Sequence, residues 1–315
     1  MTRRHERELC CSARERFTSS TIVCTGLDSG LFSSVNGGYP YRCHTCIVPF
    51  FEQSDITINY EISGEGPRVL FFNGSGATLE STQLLISALA KQCTVLAHDQ
   101  RGLGHTSIPE GPYTMQQYAQ DGAALLDHVG WETCAVFGIS FGGMVAQEFA
   151  VTYPQRVERL VLMCTSAGGD AGSSYPLHEL GSLAPDERAR KVTELTDTRW
   201  TPKWLAEHAA DAQMVAMRNE QAARPKSPDV IRGERLQLVA RIGHDVADRL
   251  HRVTAPTFVM AGRYDGIAPP SNSEEIVKRI PDASLAVYEG GHIFSGQDKQ
   301  AMIDARQFLT TGQRP

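Results

Sequence analysis

The chain has 315 residues, enough for one large domain with an ample core and an inserted segment. Its formal net charge is −6 and no basic stripe is evident, which argues against a nucleic-acid partner. No apolar run approaches the roughly 20 residues that cross a bilayer. We therefore expect no membrane partner and a cytoplasmic location.

The first 46 residues differ from the rest of the chain. They hold five of the eight cysteines, namely Cys10, Cys11, Cys24, Cys43 and Cys46. Cys43 and Cys46 have C-x-x-C spacing, but no second pair follows at a zinc-ribbon distance, so we expect no metal site. No secretory h-region is present. We interpret residues 1–46 as a disordered extension or as the product of a start codon assigned too far upstream.

The remaining chain alternates short apolar runs with helical periodicity. Strands are predicted at Asp55–Ile62, Arg68–Phe72, Thr94–His98, Cys134–Gly138, Leu160–Met163, Thr257–Ala261 and Leu285–Tyr288. Helices are predicted between most of them, including Ser81–Lys91 and Met115–Val129. This alternation predicts an α/β fold with a mainly parallel sheet covered on both faces by helices.

About ninety residues separate Met163 from Thr257, too many for one crossover connection. The stretches Pro185–Asp197, Pro202–Ala210 and Asp211–Ala223 have helical character. We therefore assign residues 168–226 to a helical cap, residues 47–167 and 227–315 to the core, and residues 229–250 to one returning helix. A cap supplies the apolar wall of a substrate pocket. Candidate pocket residues are Met144, Trp200, Trp204 and Ile267, although packing between cap helices is an alternative for each tryptophan.

One five-residue stretch, Gly138-Ile139-Ser140-Phe141-Gly142, carries the clearest chemical signal. A strand-like run precedes it and a helical run follows it, which is the context of a nucleophile elbow. Such a turn needs small residues at Gly138 and Gly142, where a side chain would collide with its neighbours. The turn would hold the Ser140 hydroxyl above a helix N-terminus. The alternative is an ordinary glycine-serine surface turn.

A serine becomes a useful nucleophile when a base takes its proton and a third group orients that base. Asp265 and His292 each follow a predicted strand, in the expected order of acid and then histidine. Taken singly, each residue is compatible with an ordinary loop. Three correctly ordered residues at three strand ends favour a catalytic triad.

Together these motifs resemble the α/β-hydrolase superfamily over about residues 48–312. The matching features are the elbow, the G-R-Y-D-G turn at Asp265, the G-G-H turn at His292, the D-x-R-G-x-G-x-S loop from Asp99, and the stretch Phe71–Gly76. The resemblance implies the α/β-hydrolase fold with an eight-stranded type of sheet. The sequence around Ser140 most resembles that of 3-oxoadipate enol-lactonase-like serine hydrolases.

The same resemblance implies an oxyanion hole built from backbone amides. One donor would be the N–H of Phe141, and the other the N–H of Ser75 or, with a shift of one residue, Gly76. Asn73 stands where histidine is commoner in the superfamily. We expect Asp99 and Arg101 to bond nearby loop backbone in a structural role.

The resulting prediction is a serine hydrolase that needs no cofactor and cleaves a small-molecule carboxylic ester or lactone through an acyl-enzyme. The same triad would also serve a cofactor-free haloperoxidase or perhydrolase, or a hydrolase of carbon–carbon bonds. A third alternative, from another class, is a binding protein that no longer turns its ligand over.

Overall fold

The computed structural model describes residues 49–53 and 55–315. Our predictions for residues 1–46, including the C-x-x-C pair, lie outside the described residues. Within the described ranges, no helix is both long and apolar enough to cross a membrane.

The centre of the fold is an eight-stranded sheet with the order β1-β2-β4-β3-β5-β6-β7-β8. β1 pairs antiparallel with β2 and β2 pairs antiparallel with β4, whereas the remaining neighbours are parallel. The strands are β1 (Phe50–Gln53), β2 (Ile56–Ser63), β3 (Arg68–Phe72), β4 (Thr94–His98), β5 (Cys134–Ile139), β6 (Val157–Met163), β7 (Thr257–Gly262) and β8 (Ala283–Tyr288). The mainly parallel sheet expected from the sequence is therefore confirmed.

Five of the ten α-helices in the described residues begin with a side chain that caps the helix. Thr114 and Gln117, for example, form a reciprocal capping box at the start of the second helix. In chain order the helices are α1 (Leu79–Leu89), α2 (Met115–His128), α3 (Phe141–Thr152), α4 (Pro185–Thr196), α5 (Pro202–Glu207), α6 (Ala209–Ala222), α7 (Pro228–Ala240), α8 (Pro270–Arg279), α9 (Phe294–Gln297) and α10 (Lys299–Thr311).

Apolar side chains of the central strands alternate between the two faces of the sheet. Leu70 and Phe72 of β3 belong to one buried cluster, and Val69 and Phe71 belong to the other. This period of two, with both faces apolar, is what a parallel sheet covered by helices requires.

The edge strand β1 is the strand that the sequence prediction missed. It has only four residues, and Phe50 is 51% exposed. A strand this short, with little buried surface, leaves too weak an alternation to be recognised.

The segment between β6 and β7, residues 164–256, is here called the inserted segment, and it contains α4 to α7. The prediction of one helix over residues 229–250 is wrong, because α7 ends at Ala240. After it the chain turns, and Val246 donates its amide to the Ala167 carbonyl at 2.9 Å. This tertiary hydrogen bond returns the chain to the core and ends the helical pattern. The boundaries proposed for a cap, residues 168–226, stay a prediction.

Candidate active site

Ser140 lies in the single-residue turn between β5 and α3. Its φ of 53° and ψ of −114° are unusual for a residue with a side chain and cost of order 1–3 kcal/mol. Three contacts hold this conformation: the Ser140 amide donates to Met163 at 2.8 Å, and the Ser140 carbonyl accepts from Thr165 Oγ1 at 2.8 Å and from Gly143 at 2.9 Å. The turn leaves the Ser140 side chain half-buried.

The two flanking glycines have no room for a side chain. A Cβ at Gly138 would lie 2.3 Å from the Gly142 carbonyl oxygen, and one at Gly142 would lie 2.1 Å from that of Phe72. The close approach of strand and helix that the sequence predicted is thus present, and it explains why both positions are glycine.

Asp265 follows β7 and His292 follows β8, so parallel pairing brings both to the edge of the sheet where β5 delivers Ser140. His292 Nε2 lies 2.9 Å from Ser140 Oγ, and His292 Nδ1 lies 2.7 Å from Asp265 Oδ2. The structure therefore brings the three residues together in one hydrogen-bonded series.

The buried Asp265 carboxylate, 3% exposed, also accepts two backbone hydrogen bonds. The amides of Ile267 and Ala268 both donate to its Oδ1 at 2.8 Å. These bonds orient the carboxylate and leave Oδ2 to face the imidazole. Since Asp265 Oδ2 accepts, Nδ1 of His292 carries the proton and Nε2 is free to accept one from Ser140.

The end of α4 connects the turn that carries Asp265 with the turn that carries His292. The Leu195 carbonyl accepts from the Gly266 amide at 3.0 Å, and the Thr196 carbonyl accepts from the His292 amide at 2.6 Å. A Cβ at Gly291 would lie 2.0 Å from the Thr196 oxygen, so the two backbones are in direct contact.

Asp197 extends this connection through side chains. Its carboxylate, 0% exposed, accepts from Arg199 Nε at 2.9 Å and from Gln297 Nε2 at 2.9 Å. Gln297 Oε1 in turn accepts from the Gly291 amide at 2.9 Å. The Arg199 guanidinium also stacks over Tyr264, 4.1 Å from its ring centre. We call residues 195–199 the brace, because they tie the turns of Asp265 and His292 to each other.

The predicted oxyanion donors lie on either side of the serine. Phe141 is the first residue of α3, and a Cβ at Gly74, beside Ser75, would lie 3.8 Å from the Ser140 Cβ. The alternative donor, the Gly76 amide, already donates to Gln237 Oε1 at 2.7 Å. Among the described residues no acceptor is found for the amides of Phe141 or Ser75, so both remain open to a ligand.

One group of side chains in the described residues has spacing that a metal ion could use: Cys164, Asp265 and His292. Two of its members share the 2.7 Å hydrogen bond described above. Burial, with a contribution from the Asp265 charge, holds the pKa of the Cys164 thiol well above its usual value. A thiol kept protonated is a poor metal ligand, so this arrangement suits proton transfer better than metal binding.

The candidate pocket residues lie in different surroundings. Met144 lines a cavity beside α7, and Ile267 is buried next to Asp265. Trp200 is 2% exposed, and Trp204 stacks on His208 at 3.6 Å and donates to Asp211. Neither tryptophan is among the residues that line this cavity. Their pocket role stays a prediction, and the contacts of Trp204 favour packing within the inserted segment.

The loop after β4 is structural, with one correction. Asp99 accepts from the backbone amides of Leu79 and His105, as expected. Arg101, expected to bond backbone, instead forms a two-point ion pair with Asp121 and a further one with Asp55. A buried guanidinium needs charged partners, and α2 supplies one within reach.

Sequence analysis did not identify Asp197, Gln237, Arg241 or Gln297 as functional candidates. Their contacts join residues that are far apart in the chain: Gln297 lies 100 residues from Asp197, and Gln237 lies 161 residues from Gly76. No local motif could have indicated them.

Comparison with known proteins agrees with the fold. The sequence model of a family described as alpha/beta hydrolase fold matches residues 67–298, well over half of the chain. A poly(3-hydroxyalkanoate) depolymerase of Ectopseudomonas oleovorans is 33% identical over 234 residues, which cover 72% of this chain and 78% of that protein. The 3-oxoadipate enol-lactonase 2 of Acinetobacter baylyi is 27% identical over 254 residues, or 80% of this chain and 92% of that protein.

A solved structure shows the same architecture. The crystal structure of a hydrolase from Pseudomonas aeruginosa superposes with a TM-score of 0.68 at 29% identity, covering 85% of this chain and 100% of that one. The fold, the family match and the relatives lead to one conclusion: this chain belongs to the α/β-hydrolase family and is a hydrolase.

Proposed function

We propose that this hydrolase cleaves a carboxylic ester or lactone by covalent catalysis at Ser140. The observation that carries the proposal is the hydrogen-bonded series from Ser140 Oγ through His292 to Asp265, at 2.9 and 2.7 Å. A serine hydroxyl becomes nucleophilic when such a base accepts its proton and a carboxylate orients the base.

In the first half of the reaction, Ser140 Oγ attacks the acyl carbon while His292 Nε2 takes its proton. Asp265 keeps the proton on Nδ1 and stabilises the imidazolium that forms. The carbonyl oxygen becomes an oxyanion that accepts from the amides of Phe141 and Ser75, each donor contributing on the order of 3 kcal/mol. The tetrahedral intermediate then breaks its bond to the alkoxy oxygen, which leaves with the proton held by His292.

In the second half, His292 Nε2 removes a proton from water, and the resulting hydroxide attacks the acyl-enzyme. A second tetrahedral intermediate collapses, the bond to Ser140 Oγ breaks, and the serine regains its proton from His292. For a lactone, the alkoxy group released in the first half remains attached to the acyl chain, and one hydroxy acid is the product.

The names of the relatives support this substrate class. A depolymerase of a poly(3-hydroxyalkanoate) and a 3-oxoadipate enol-lactonase are both similar to this chain over most of its length. Because substrate choice within one fold depends on side chains around the site, we carry over only the reaction class.

The test is hydrolysis of a panel of aryl esters and small lactones by the wild type and by Ser140→Ala. We expect kcat to fall by at least about 10³-fold, whereas Ser182→Ala, at an exposed serine, should keep full activity. Wild-type enzyme treated with a fluorophosphonate should carry the label on the peptide containing Ser140. Full activity in Ser140→Ala, or labelling elsewhere, would contradict the proposal.

A further inference from the structure

A cavity of about 150 Å³ lies beside α7, at the boundary between the inserted segment and the core. It opens to solvent next to Ile242, which is 58% exposed. The residues that line it include Met144, Ser166, Ser174, His178, Arg241 and His244. No aspartate or glutamate is among the residues that line it.

Arg241 is the unusual member of this wall. Its side chain is buried, with 9% exposed, and one of its terminal nitrogens donates to the Tyr175 carbonyl at 3.0 Å. No carboxylate of the described residues pairs with it. Burial lowers the pKa of Arg241 to about 10, so the guanidinium stays charged at neutral pH. A buried cation without a counter-ion is costly and calls for an anionic partner.

The other polar groups of the cavity do not neutralise this charge. His244 Nε2 lies 3.1 Å from the Ser166 carbonyl and donates to it, while Nδ1 has no partner among the described residues. Burial lowers the pKa of His244 to about 4, so this imidazole is neutral at neutral pH. The nearby Glu148 is already held by both terminal nitrogens of Arg249.

Two helices place the cavity close to the nucleophile. Met144 lies one turn along α3 from Ser140, which is about 6 Å of helix rise. On α7, Gln237 accepts from the Gly76 amide of the oxyanion loop, and Arg241 follows one turn later. Met144 therefore connects the cavity wall to the helix that begins after Ser140, and α7 connects Arg241 to the loop that contains Ser75.

We propose that Arg241 binds a carboxylate carried by the acyl part of the substrate, so that the preferred substrates are half-esters of dicarboxylic acids or lactones bearing a free carboxylate. This inference rests on the proposed function, because it places the anion relative to Ser140. The guanidinium supplies parallel N–H donors that match a carboxylate, and the ligand provides the counter-charge that the protein lacks.

The test compares aryl half-esters of dicarboxylic acids with aryl esters of monocarboxylic acids of matched chain length. For the wild type we expect a higher kcat/KM on the half-esters. Arg241→Met should lower kcat/KM on half-esters about 10- to 100-fold, as expected for loss of a charged hydrogen-bonded pair, and change it less than about twofold on neutral esters. Arg241→Lys should retain part of the preference.

Arg235→Met is the matched control, since it removes the same charge from an exposed position of the same helix and should leave the preference intact. A wild type that shows no preference for half-esters, or a preference that survives in Arg241→Met, would overturn the inference. Turnover of neutral esters in these same assays would leave the proposed function standing.

A second measurement does not depend on a variant that folds. Glutarate should competitively inhibit neutral-ester hydrolysis by the wild-type enzyme, whereas the uncharged glutaramide should not. Equal inhibition by both compounds, or none by glutarate, would contradict a carboxylate site. Failure of every ester to react, with no label on Ser140, would instead overturn the proposed function itself.

Discussion

The inserted segment buries two charged side chains in opposite ways. In the brace, Asp197 is fully buried and its two oxygens accept from Arg199 and Gln297. Beside the cavity, Arg241 is almost as buried but donates only to a carbonyl. A buried charge with all its partners present completes a structural framework, whereas a buried charge without a counter-ion marks a place for a ligand.

The largest expected effect comes from removing the fully paired Asp197 carboxylate. Asp197→Ala removes the acceptor of both Arg199 and Gln297, and we expect the free energy of unfolding to fall by about 2–4 kcal/mol. The lower part of this range applies if Arg199, whose side chain is 21% exposed, reaches water. Urea denaturation measures the loss. Glu289→Ala, which breaks the exposed pair with Arg263, is the control and should change stability within experimental error. Equal stability of the two variants would contradict a stabilising role for Asp197.

Lowering the pH should reduce the free energy of unfolding, partly because His244 in the cavity wall is buried. Burial lowers the pKa of both His244 and the core residue His98 to about 4. Below about pH 6.5 the unfolded chain binds protons that the folded protein does not, so stability is full above that pH and declines towards pH 4. Each histidine accounts for up to about 3 kcal/mol of this loss.

Urea denaturation at pH 7, 5.5 and 4.5 measures this slope. His244→Asn should remove about half of the pH dependence that the two buried histidines cause, and His98→Asn should remove the other half. This expectation concerns the slope with pH and holds even if either variant is less stable at pH 7. Slopes identical to the wild type in both variants would contradict the assignment of these two buried histidines.

The smallest effect should appear where the brace reaches the turn that carries His292. Gln297→Ala breaks the link between Asp197 and the Gly291 amide, so His292 should be held less firmly. We expect kcat on an aryl ester to fall about 10-fold with KM nearly unchanged, because positioning of the base affects the chemical step more than binding. Gln300→Ala, at a nearby exposed glutamine that bonds Asp304, should keep the wild-type kcat. A change confined to KM would argue against a positioning role.

Much of this molecule could be predicted because its signals are local. The elbow at Ser140 is a contiguous strand–turn–helix, and the strands that lead to Asp265 and His292 are short apolar runs followed by glycine-containing turns. Local steric limits and hydrophobic patterning act within about ten residues, so they can be seen in one sequence. The order of Ser140, Asp265 and His292 along the chain follows from the order of these strands.

The errors fall where tertiary contacts override the local pattern. β1 exists because β2 offers it an edge to pair with, and α7 stops at Ala240 because Val246 bonds Ala167 on the core. Arg101 takes carboxylate partners that the motif around it does not contain. For Arg101 and for the chain after α7, the hydrogen-bond partner lies 20 or more residues away.

The sequence by itself determined the fold class, the three residues of the hydrogen-bonded series and the turns that carry them, since each depends on neighbouring residues. Only the tertiary structure decided which amides near Ser140 lack an acceptor, that the brace joins the turns of Asp265 and His292, and that Arg241 is buried without a counter-ion. These properties depend on contacts between segments 66 or more residues apart. Whether a charge has a partner is a property of the packed molecule, because burial and pairing are both set when the chain folds.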